Sequence, residues 1–190
     1  MTFSFFVSPF YLFLFALLLA FTEVQIEGKH GWARDLPSWR AHPGSFAARW
    51  YGRFMQGKEL TGYHAGMFSL VFLVLFSPFV FGVPVTAVAI FQIFSLYFLL
   101  IVFEDFLWFI INPYFGLRKF RQAHIPWHKR WFLGLPQDYY VGIFLSLGFA
   151  LLSFSVTGIM LFSWWLGYFS LFIVFTFLIS LSFAVFRRRR

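Results

Sequence analysis

The chain has no cysteine among its 190 residues. That excludes disulfides, thiolate-held metal and cysteine nucleophiles in one step. Acidic residues are scarce as well, seven against fifteen Lys and Arg. Charge of both signs reaches only 12%, too little for a soluble domain. The sequence also lacks HExxH, GxSxG, a Walker loop, GxGxxG and the acidic pattern of CDP-alcohol transferases. The best-known hydrolase and nucleotide chemistries go with them. No internal repeat is present.

What is present is apolar: 61% of the residues are hydrophobic and 26% aromatic. About 20 residues at a rise of 1.5 Å cross the hydrocarbon of a bilayer, and the apolar runs reach that length. The expected fold is all-α, an integral membrane bundle of five transmembrane helices with an interfacial amphipathic helix. Residues 1–190 form a single domain, with spans at about 3–22, 65–82, 85–111, 139–162 and 164–186. The first run has no basic residue before it, and Leu18 and Ala20 make no small-x-small cleavage site. It reads as a retained span rather than a signal peptide.

The basic residues fall in three places. Lys29, Arg34, Arg40, Arg49, Arg53 and Lys58 occupy the first polar stretch, and Arg118, Lys119, Arg121, Lys129 and Arg130 the second. Arg187, Arg188, Arg189 and Arg190 occupy the third. Five crossings put all three on one face. Basic residues in short loops are retained in the cytoplasm, so the reading is N-terminus outside and C-terminus cytoplasmic. The net charge of +8 then sets topology and meets anionic lipid headgroups, and no nucleic-acid partner is expected. The outer links are short, around Gly82, Val83 and Pro84 and around Trp164 and Trp165. Both substantial loops, about 28–63 and 112–138, face the cytoplasm and are rich in Trp and Tyr, the rings of the headgroup region.

Within 45–56, Ser45 has the chemistry of an N-cap. Phe46, Trp50 and Phe54 recur every four residues, with Arg49, Arg53 and Gln56 on a polar face, which predicts a helix lying in the interface. Ser77 and Pro78 predict a kink near the outer end of the second span. Asn112, Pro113 and Gly116 predict a turn that ends the third.

The polar residues at membrane depth point to function. Glu104 and Asp105 sit inside the third span, where each carboxyl costs about 2.5–3.5 kcal/mol to insert, so they are candidate catalytic groups. Glu23, Glu27 and His30 follow a helical i, i+4, i+7 pattern, and Glu27 with His30 makes one Glu-x-x-His, a spacing that di-metal bundles use twice. His124 and His128 have the His-x-x-x-His spacing of metal ligands, with Pro126 favouring His128 over His124. His64 stands at the mouth of the second span, and His42 beside Pro43 reads as a surface residue. The His-x-x-x-His and the interfacial carboxylates resemble, over these few residues, the membrane fatty-acid hydroxylase and desaturase group. That group has several His clusters, including adjacent pairs that this chain lacks, so no roles are carried over.

Glu27, His30, His64, His124 and His128 are therefore the candidate metal ligands, and a His/carboxylate set favours Fe, Zn or Mn. Arg118 or Arg121 is the rival partner for Asp105. Three functions fit: a metalloenzyme acting on a lipid or other apolar molecule, with Glu104 moving protons; a non-catalytic binder of haem (His64 with His128), quinone or lipid; or an accessory subunit whose polar groups lock packing.

Overall fold

Backbone groups in hydrocarbon must be satisfied within the segment, so long apolar runs form helices. The computed structural model describes residues 9–188. Its helices are α1 (Pro9–Glu27), α2 (Phe46–Phe54), α3 (Gly62–Val80), α4 (Ala87–Ile111), α5 (Gln137–Thr157) and α6 (Phe162–Arg188). All but α2 are long and apolar enough to cross a membrane, as expected of a multi-pass membrane protein. The expected start of the first span near residue 3, and Arg189 and Arg190, lie outside the described residues.

The boundaries follow local chemistry. α1 runs to Glu27 because Gly28 takes φ +58°, a left-handed C-terminal position that glycine adopts without strain. The expected helical face therefore includes Glu23 and Glu27 but stops before His30. Ser45 caps α2, accepting from Ala48 N at 3.2 Å. Thr61 and Thr86 cap α3 and α4, accepting from His64 N at 3.2 Å and Ala89 N at 3.1 Å. Pro78 lies inside the last turn of α3 and cannot donate to the carbonyl of Val74. The Ser77 hydroxyl donates to that carbonyl instead, at 2.7 Å.

The all-α expectation has one exception. Trp131–Phe132 and Leu135–Pro136 form a two-stranded hairpin, β1 and β2. Its two central residues, Leu133 and Gly134, have φ +45° and +83°, the mirror-image turn that suits a twisted hairpin. Helical periodicity gave no sign of so short a ribbon.

α4 is the central helix, and the core lies along it: Ile93, Leu96, Leu99, Leu100 and Leu107 are inaccessible or nearly so. Against α5 the approach is close, since a Cβ on Gly142 would collide with Val102. Ser95 and Ser146 face each other across that contact at 3.3 Å, and Trp165 of α6 donates to Ser146 at 2.9 Å. Phe172 of α6 packs edge-on against Phe13 of α1 and Phe103 of α4, at 5.7 and 5.2 Å between centroids. At the end of the bundle that carries the two long loops, Asn112 donates to the carbonyl of Gly28 at 2.7 Å, tying the end of α4 to that of α1.

Candidate functional site

One helical stripe of α4 supplies a wall. Tyr97, Ile101, Glu104 and Trp108 recur at three- and four-residue steps, which places them on one face, and all line a cavity of about 430 Å³. α5 contributes Asp138, Tyr139, Val141, Gly142 and Leu145; α1 contributes Glu23 and Glu27; α3 contributes His64 and Phe68. The loops close it with Trp32, Lys58, Trp127 and His128. Phe54, Val141 and Leu145 line the cavity yet are 63%, 46% and 42% exposed, which puts its mouth between α2 and α5. The upper walls are hydrocarbon and aromatic; the floor is polar.

The floor carries five of the seven acidic residues, Glu23, Glu27, Glu104, Asp105 and Asp138. On one side, Glu27 accepts from the backbone N–H of Ala33, and its Oε1 lies 3.8 Å from His64 Nε2. The other nitrogen of His64 meets the Thr61 hydroxyl at 2.8 Å. Trp32 stacks on the His64 ring at 3.9 Å and 15°, and the Lys58 ammonium sits 4.2 Å from the Trp32 ring centre, a cation–π contact. Glu23 neighbours Glu104 and Tyr63.

On the other side, Lys58 donates to Asp138 Oδ2 at 3.1 Å. His128 Nδ1 lies 3.1 Å from the same oxygen and 3.3 Å from Lys58 Nζ. His128 Nε2 points to Asp105 Oδ2 at 3.4 Å without a hydrogen bond. Tyr139 donates its hydroxyl to Asp105, and Gln56 donates its amide to the second Asp138 oxygen. An imidazole thus sits between two carboxylates, with a buried ammonium on one of them. The local chain path explains the placement. Gln137 N donates to Arg130 O at 2.9 Å across the hairpin, and this sets Asp138, in the first turn of α5, beside His128.

Outside the crossing helices, the hydroxyl of Tyr51 in α2 is buried. That burial pushes its phenol up from the ordinary value, with Tyr97 and Asp138 adding to the effect.

Glu27, His64, Glu104, Asp105 and His128 come together around this cavity. His30 does not; it pairs with Asp35 at 3.1 Å in the loop. His124 is exposed at the end of a 3₁₀ turn, Gln122–His124, so the His-x-x-x-His residues do not share a helical face. Pro126 is the reason: it pushes Ile125 out of helical geometry, to φ −128° and ψ 78°. Among the described residues, no three His, Asp or Glu side chains are grouped to hold a metal ion. Arg118 and Arg121 do not reach Asp105; both are exposed, and Arg121 donates to the carbonyl of Arg118.

The cation in the site is Lys58, and sequence reasoning missed it along with Asp138, Trp32 and Gln56. Gln56 belongs to no helical face, because α2 ends at Phe54 and Gln56 turns with φ +55° to reach Asp138. One signal was available for Asp138, an acid in the first turn of a long apolar helix. No family model matches the chain, and neither a curated protein nor a solved structure matches it.

Proposed function

We propose that this is a multi-pass membrane protein that takes an apolar, lipid-like molecule into the cavity, its polar end on the carboxyl and imidazole floor. The observation that carries the reading is the cavity's division: apolar walls reaching an exposed mouth, and five carboxyls concentrated at the far end. Buried carboxyls and apolar surface are costly in opposite ways, and a molecule with one apolar and one polar end suits both. The basic loops at that end face the cytoplasm in this reading, with the C-terminus on the same side. α2 lies in the interface with Phe46, Trp50 and Phe54 toward lipid; these rings contact one another in sequence along the helix, at 6.0 and 5.0 Å.

Organic extraction and mass spectrometry of the protein purified in mild detergent test this. A defined apolar species should be retained by the unaltered chain and lost from Leu145→Trp, which fills the mouth. An identical lipid profile in the two proteins would mean surface lipid only, and would defeat the reading. Elemental analysis and optical absorbance on the same samples detect stoichiometric metal or haem, either of which would replace it.

One observation favours turnover over simple binding. His128 is held through Nδ1 by Asp138, and its other nitrogen faces Asp105 at the cavity floor, the arrangement of an oriented general base. In that second reading His128 takes a proton from the polar end of the bound molecule and passes it to Asp105, which the Tyr139 hydroxyl holds in place. Its test is conversion of the extracted species: His128→Gln should retain the species and stop its conversion.

A further inference from the structure

The polar atoms of the floor are not all paired: besides His128 Nε2, two of them fall on one stripe of α4. Glu104 Oε1 and Trp108 Nε1 are both fully buried without a hydrogen-bond partner. Trp108 as a whole is 3% exposed, and both residues line the cavity. They stand one helical turn apart on α4, with Ile101 on the same stripe above them, so their side chains lie side by side on its cavity face. A buried carboxyl oxygen and a buried indole N–H left unpaired inside a bilayer are each costly. One is an acceptor and the other can only donate.

Resting on the reading of the cavity as a site for a lipid-like molecule, we propose that the polar end it takes is a hydroxyl group, held between Glu104 and Trp108. A hydroxyl donates through its hydrogen to Glu104 Oε1 and accepts from Trp108 Nε1–H with a lone pair, so one small group satisfies both atoms. An ammonium head only donates and leaves the indole unpaired. An ether oxygen only accepts and leaves the carboxyl oxygen of Glu104 unpaired. The ligand class is therefore a long-chain or isoprenoid alcohol.

The test uses the full chain in lipid nanodiscs and a lauryl alcohol probe carrying a mid-chain diazirine. Photolabelled residues are mapped by mass spectrometry, with lauryl alcohol, lauryl methyl ether and laurylamine as competitors. The alcohol should block labelling of cavity residues at a concentration about tenfold lower than the ether, the order of effect of one buried polar pair left unmade. In Glu104→Leu the alcohol should lose that advantage while the ether competes as before. In Trp108→Phe the alcohol and the ether should both weaken while the amine, whose ammonium only donates, competes as before. Glu104→Leu removes a buried carboxyl and Trp108→Phe keeps most of the ring, so folding is preserved in at least one of the two. Equal competition by alcohol and ether in the unaltered chain would overturn the hydroxyl, leaving water as the partner of these atoms and the apolar site intact. Stronger competition by the amine would overturn it in favour of a cationic head. If nothing competes, the cavity takes no such molecule and both readings fall.

Discussion

Lys58 is the residue on which the floor balances. Its side chain is only 3% exposed, and it holds Asp138 while lying beside His128 and over Trp32. Removing one member of a buried ion pair leaves the other uncompensated, at a cost of about 3–5 kcal/mol. Lys58→Met should therefore destabilise the protein by that order in denaturant titration of micelle-solubilised protein. Lys58→Met with Asp138→Asn should recover most of the loss, since the pair is then removed rather than broken. An equal loss in single and double variants would show that Lys58 acts by packing alone. The same residue shows what sequence reasoning reaches. Glu104 and Asp105 were legible because a carboxyl within an apolar run is expensive wherever it points. Lys58 was not: it lies in a basic loop where a cation is cheap, and its partner is 80 residues further along the chain.

Among the elements, the α4–α5 contact is the one most sensitive to volume. Gly142 leaves room for Val102, and the stripe lining the cavity lies beside it. Gly142→Ala should cost about 1–3 kcal/mol by overpacking. Val102→Ala should restore much of that in the double variant, and thermal unfolding of the three proteins reads the coupling directly. Additive losses would mean that the cost of Gly142→Ala does not arise against Val102. Long elements were readable from the sequence because their length alone separates a span from a core helix. The hairpin β1–β2 was not, since two-residue strands carry no periodicity, yet it aligns Asp138 with His128. The histidine spacing at 124 and 128 gave only His128 to the cavity, as Pro126 indicated from the sequence. Spacing implies a shared face only if the segment is helical, and the proline within it prevents that.

At the scale of the whole molecule, the segregation of basic residues predicts an orientation with the C-terminus cytoplasmic, and the missing cysteines make it straightforward to measure. Val85→Cys and Leu133→Cys each introduce a single thiol at an exposed position, at opposite ends of the bundle. A membrane-impermeant maleimide added to intact cells should label Val85→Cys and spare Leu133→Cys until the membrane is permeabilised. The reverse pattern would invert the topology, and labelling of both from outside would contradict the arrangement of the helices. The five helices long and apolar enough to cross a membrane were legible from hydropathy. The meeting of Glu27, His64, Glu104, Asp105 and His128 around one cavity was legible too, from their shared depth at the ends of separate spans. The parts of Lys58, Trp32 and Asp138 were not, because they depend on how loops fold over antiparallel helices, which a linear pattern leaves open.

Among the described residues, none from α6 lines the cavity; the lining runs from Glu23 to Leu145. Ribosomes deliver this chain from its N-terminus, so every group of the polar floor leaves the exit tunnel before the last helix does. The acidic residues therefore need no group of α6 to meet Lys58 and the histidines. α6, docking through Phe172 and Trp165, is then a latch on a site built without it, and a chain released from the ribosome after Thr157 should already show His128 and Asp138 in proximity by crosslinking.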